Sequence, residues 1–133
     1  MKPVCLAFFS LVVFLSANSP LPQPFPTHVE SLIYPNSARI AQIQDTVKVD
    51  VIIDSKGEIF SATSISGHPL LRKAAEENIK RWKFPASNTN SSIQVEYVFK
   101  MEEPKRYYKP ETRNVFDLPT RVEVITNFPE PQP

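Results

Sequence analysis

The chain has one cysteine, two glycines and two histidines, and its formal net charge is +1 over 133 residues. Each scarcity excludes something. Cys5 lies at the start of an apolar run, so export with cleavage leaves a chain with no thiol, no disulfide and no cysteine metal site. His28 and His68 stand in different segments and cannot form a metal centre by themselves. Near-neutral charge with mixed signs leaves no basic footprint for nucleic acid. No apolar run is long enough for a comfortable membrane span. Pro3 to Ala17 is 15 residues, about 22 Å as a helix against a hydrocarbon core of about 30 Å.

Prolines, by contrast, are plentiful: there are 14. Four fall between Pro20 and Pro26 and three between Pro129 and Pro133, so both ends read as extended and the middle carries the fold. Before the first cluster, Lys2 and the Val4–Leu15 run followed by Ser16 and Ala17 have the form of an export signal. Residues 1–17 are thus expected to be a signal peptide, or a short inner-membrane anchor if uncleaved. Residues 18–33 form a Pro-rich tether, 34–101 the folded domain, and 102–133 a Pro-rich polar tail.

Within 34–101 the periodicity changes in a definite order. Tyr34-Pro35 opens one or two helical turns, with proline where no amide donor is needed. From Thr46 to Asp54, Val47, Val49, Val51 and Ile53 share one strand face. Asp54-Ser55-Lys56-Gly57 is a hairpin signal, and Glu58–Ser66 is a second, less apolar strand. A helix is expected from Pro69 to Trp82, with Leu71, Ala75, Ile79 and Trp82 on one stripe and Lys80, Arg81 and Lys83 crowding its end. Pro85 stops it. A last strand then alternates through Ile93, Val95, Tyr97, Phe99 and Met101. Trp82 is expected to be a core anchor rather than a ligand platform.

One helix stripe and one apolar sheet face need each other, which predicts an α+β domain with a ββαβ order. Alternating chain direction predicts a three-stranded antiparallel sheet in the order 2-1-3 with one helix packed on a face. The last strand would then be a long edge, and an unpaired edge invites another strand. The expected binding residues are Ile93, Gln94, Val95, Glu96, Tyr97, Val98, Phe99 and Lys100.

Nothing in the pattern indicates catalysis, a cofactor or a metal. Ser66-Gly67-His68 lacks the surroundings of a nucleophile elbow, and its histidine directly precedes a helix-starting proline. In the tail, Arg121-Val122-Glu123-Val124-Ile125-Thr126 alternates like a short strand that could fold back along the 93–101 edge and compete with a partner strand.

Taken in order, these residues resemble the C-terminal domain of TonB-family energy transducers. The resemblance rests on Tyr34-Pro35 with Ala38-Arg39, on Ile43-Gln44 before Thr46-Val47-Lys48-Val49, and on Asp54 followed by Gly57. It continues through Ala74-Ala75, Arg81-Trp82-Lys83-Phe84-Pro85 and Val95-Glu96-Tyr97-Val98-Phe99. It implies a periplasmic, non-enzymatic domain that grips segments of outer-membrane receptors by β-strand addition, in service of transport across the envelope. It also implies a secondary contact around Glu30–Pro35, involving Tyr34, Pro35 and Arg39. A transducer's membrane helix with its coupling histidine and its long linker have no counterpart here, so coupling to an inner-membrane motor does not follow. The alternative reading is a structural envelope protein that self-associates, as a homodimer, through its edge and tail.

Overall fold

The computed structural model describes residues 23–103 and 112–129. The segment read as a signal peptide, and the first part of the tether with Pro20 and Pro22, lie outside them. The elements are α1 (Asn36–Ile40), β1 (Asp45–Ile53), β2 (Ile59–Ser66), α2 (Pro69–Ile79), β3 (Ser91–Glu102), β4 (Arg113–Asp117) and β5 (Arg121–Asn127). The sheet has five strands in the order β2-β1-β3-β5-β4. The expectation of three strands is corrected: the order 2-1-3 is present, but two further strands lie beyond β3.

β1 is the centre of the first half. Val47, Val49, Val51 and Ile53 are buried on the helix side, while Lys48, Asp50 and Ile52 face outward. The hairpin to β2 is built by Asp54, whose Oδ1 accepts from the amides of Lys56 and Glu58 at 2.9 Å each. Gly57 takes φ 85°, and a Cβ there would collide with the carbonyl oxygen of Phe84. Glycine is needed both for the conformation and for the close approach of the chain.

α2 starts at a cap of its own making. His68 Nδ1 accepts from the Leu70 amide at 3.2 Å, and Pro69 occupies the first turn. Leu71, Ala75 and Ile79 are fully buried against the sheet. Glu76 reaches β2, where its carboxylate accepts from the hydroxyl and the amide of Ser64 at 2.5 and 2.7 Å. Those hydrogen bonds lower its pKa. The helix ends at Ile79 rather than Trp82, so Lys80, Arg81 and Lys83 follow it instead of capping its last turn. Trp82, in the turn beyond, is wholly buried beside Phe84, Tyr97 and Phe116.

β4 and β5 complete the sheet. β5 runs parallel to β3, and β4 pairs antiparallel on its far side. Val122 and Val124 turn into the core, while Glu123 turns outward to meet Lys100 at 3.0 Å. From β4, Phe116 closes over Trp82.

Full burial among three aromatic neighbours makes Trp82 a test of this packing. Trp82→Ala should lose about 3–5 kcal/mol of unfolding free energy. A urea titration checks this, and an unchanged midpoint would refute the core role.

Candidate functional site

β3 is the strand on which the expected site was placed, and its surroundings differ along its length. On one side it pairs with β1 from Ser91 to Phe99. On the other it pairs with β5 only from Glu96 to Glu102, and the Glu96 amide donates to the Thr120 carbonyl at 2.7 Å where that ladder begins. Glu96, Tyr97, Val98 and Phe99 therefore have strands on both sides, and Lys100 has β5 beside it. Ile93, Gln94 and Val95 have a strand neighbour on the β1 side alone. The expectation of a free edge along Ile93–Lys100 is corrected over its larger part, because β5 supplies the pairing that a free edge would leave unmade.

Side chains divide in the same strand. Ile93, Val95, Tyr97 and Phe99 point into the core and are buried. Gln94 faces outward and donates to Asp50 Oδ1 at 3.0 Å. Glu96 and Lys100 share a charged strip with β5: Lys100 and Arg121 both contact Glu123 at 3.0 Å, and Arg121 lies 3.7 Å from Glu96. The hydrogen bond from Lys100, then that from Arg121, lowers the pKa of Glu123. Exposed pairs of this kind set register and discourage wrong partners more than they stabilise.

The secondary residues separate as well. Tyr34 is buried, stands edge-on to Phe99 with ring centres 5.4 Å apart, and donates its hydroxyl to the Ile43 carbonyl. It is a core residue, not a contact surface. Pro35 is the residue before α1, and Arg39 is half-buried near the helix end. The structure thus does not bring the three together as one accessible group.

The segment leading to Tyr34 is itself held as a surrogate strand. The Thr27 amide donates to the Lys83 carbonyl at 2.8 Å, and the Lys83 amide donates to the His28 carbonyl at 3.0 Å. Asn114 of β4 then clamps Leu32 from both directions: its Oδ1 accepts from the Leu32 amide and its Nδ2 donates to the Leu32 carbonyl, each at 2.9 Å. The Tyr34 amide donates to Thr112 Oγ1 at 3.3 Å. A second group missed from sequence is Asn78, buried on α2. It accepts from Trp82 Nε1 at 3.2 Å and Tyr97 Oη at 2.8 Å, and donates to the Glu30 carbonyl at 3.0 Å. The one available signal was its position in the apolar stripe, four residues before the tryptophan.

The outer edge of β2 has no strand against it among the described residues. His68, the one histidine near a serine, is occupied as a helix cap. Among the described residues no helix is long and apolar enough to cross a membrane, and no group of three or more His, Cys, Asp or Glu is placed to hold a metal ion.

Comparison with family models matches residues 30–102 to the one described as Gram-negative bacterial TonB protein C-terminal. Comparison with curated proteins gives no match. The matched region ends with β3, so β4 and β5 lie outside it.

Burial raises the pKa of both phenols at this site. Tyr34 is pushed up to about 12, and Tyr97 is pushed well above its ordinary value. A raised folded-state pKa gives stability that is complete below the unfolded value of about 10 and is lost as pH rises toward the folded one. Unfolding free energy should therefore fall on raising the pH above about 10, and Tyr34→Phe should fall less steeply there than the parent chain. Urea titrations across this range read the difference; parallel pH profiles would contradict the burial of Tyr34.

Proposed function

The chain belongs to the TonB C-terminal family, and on that premise we propose that it holds partner proteins at the envelope by accepting an extended segment as a strand beside β3. The family is a non-enzymatic, transport-associated domain of the Gram-negative envelope that interacts with outer-membrane receptors. For this chain the proposed partner is an extended segment of such a receptor, and the proposed location is the periplasm.

The observation that carries the reading is the position of β5. It lies outside the family region, yet it occupies the side of β3 that the family unit alone would leave unpaired. We take β5 as a resident strand and the partner as its replacement. Three features support this. β3–β5 is the one parallel pair in the sheet, and parallel ladders are slightly less stable per residue than antiparallel ones. Ser91 to Val95 carry no strand on that side, so a partner can begin pairing before β5 leaves. The vacated positions call for two apolar residues spaced two apart, in place of Val122 and Val124, so the partner's chemistry is specified. The proposed contacts remain Ile93–Lys100, through the main chain. The energetics are those of donor-strand exchange rather than of simple addition to an open edge.

The test is calorimetry and NMR with a panel of outer-membrane receptor N-terminal segments, using the parent chain and Val124→Ala. The variant weakens β5 and leaves β3 intact. Loss of two methyl groups at about 0.8 kcal/mol each should raise partner affinity about tenfold. Amide shifts should concentrate on β3, with β4 and β5 released. Binding of no segment, shifts confined to other elements, or equal affinity of the two proteins would each reject strand exchange at β3.

A further inference from the structure

We propose that Lys100 selects the partner of β3: it favours an extended segment that runs in the direction of β5 and carries a carboxylate flanked on both sides by apolar residues. This rests on strand exchange at β3 and names the chemistry that decides which segment is taken.

The resident strand shows what the slot fits. In the parallel ladder Arg121 stands beside Glu96, Val122 beside Tyr97, Glu123 beside Val98 and Val124 beside Phe99. Residues in register share a face of the sheet, and successive residues alternate between faces. Val122 and Val124 therefore point to the core with Tyr97 and Phe99, while Arg121 and Glu123 lie on the outer face with Glu96 and Val98. From the next outward position of β3, Lys100 reaches back to Glu123 at 3.0 Å. A replacement strand that keeps the two apolar residues has one outward residue between them, and Lys100 governs that position.

The two charged residues of β3 that face β5 differ in what they keep when it leaves. Glu96 retains Lys48 of β1 as its cross-strand neighbour. β1 pairs with β3 no further than Phe99, so no β1 residue lies in register with Lys100. Among the described residues the ion pair of Lys100 is with Glu123 alone. Opening the slot leaves this ammonium without its carboxylate, and the incoming strand decides whether it regains one. A carboxylate between the two apolar residues restores the pair, whereas an ammonium there meets a like charge. The pair is partly exposed, Lys100 by 43% and Glu123 by 22% of the side chain. It therefore discriminates between segments, and the main-chain ladder and the apolar pair supply most of the affinity.

Two peptides test this on the Val124→Ala chain, in which the resident strand is weakened. One is Thr-Thr-Val-Thr-Thr followed by the sequence of Arg121–Asn127; the other has lysine in place of its glutamate. The leading residues lie along Ser91–Val95, which carries no strand on that side. Both peptides displace the same β5, so the ratio of their affinities cancels the cost of opening. Calorimetry at low salt should show the glutamate peptide binding about fivefold more tightly than the lysine peptide, a preference that shrinks as salt is raised. Adding Lys100→Glu should invert the preference. Adding Lys100→Met, which keeps an apolar stem, should bring the two affinities within about twofold of each other. Equal affinities with Lys100 present, or a preference that survives Lys100→Met, would overturn selection by Lys100 and leave strand exchange standing. Binding of neither peptide would overturn both.

Discussion

The side-chain amide of Asn78 is the interaction on which the rest of the domain depends. Its oxygen takes two donors, Trp82 Nε1 and Tyr97 Oη, and its nitrogen serves the Glu30 carbonyl. Four pieces of chain are thereby fixed relative to one another: α2, the turn that directly follows it, β3 and the incoming N-terminal segment. A buried amide so fully engaged specifies a unique packing, whereas the same group with a partner removed would be costly. The desolvated phenol of Tyr97 stays protonated and so stays a donor. Once Trp82 is oriented, Phe116 has a surface to cover, and β4 docks. Once β4 docks, Asn114 can clamp Leu32. The N-terminal segment is therefore tied at Lys83, Asn78, Asn114 and Thr112 in turn, and the hairpin beyond the family region is tied to the family region through that segment.

This chain of dependence sets the terms for any strand that would replace β5. Val122 and Val124 are fully buried, and each such side chain is worth about 1.5–3 kcal/mol when removed from water. A partner that merely offered main-chain hydrogen bonds would lose to the resident strand. One that supplied apolar residues at the same spacing would compete on nearly equal terms, so the hairpin converts a permissive edge into a selective one. The cost falls on association rate, since binding waits on opening of the hairpin. The uncovered start of β3 eases that cost by letting a partner pair first with Ile93–Val95.

Much of this architecture was legible in sequence because most of its strands alternate cleanly. Val47–Ile53 and Ile93–Met101 each place four or five apolar residues at a period of two, and both are strands of the expected sheet. Trp82 was legible as core from its spacing with Leu71, Ala75 and Ile79, even though the helix stops short of it. β4 was not legible, because Arg-Asn-Val-Phe-Asp turns one large apolar residue inward and five residues are too few for a period to show. The neighbour of β3 was legible, since the alternation of Arg121–Thr126 marked a strand able to fold back along the 93–101 edge, and β5 pairs there. What local pattern did not contain was its parallel direction, or the packing of Phe116 on Trp82 that holds the hairpin in place. Tyr34 was expected at a contact only because the family resemblance implied it, and its burial rests on Phe99 sixty-five residues later, which the Tyr-Pro pair by itself does not show. Asn78 was invisible because a lone polar residue in an apolar stripe looks like a blemish until its three partners are known.

The two ends of the sheet are built differently, and the difference bears on how the module works as a whole. At the β4 end the strand is short and its termini are charged, and its inner face is committed to Leu32 and Trp82. At the β2 end the strand is longer and has no charged residue of its own, and the Glu76 carboxylate of α2 takes its Ser64 amide. Between these two ends, the start of β3 at Ser91–Val95 has β1 on one side and no strand on the other among the described residues, so strand exchange is proposed where the sheet leaves main-chain groups without a ladder partner.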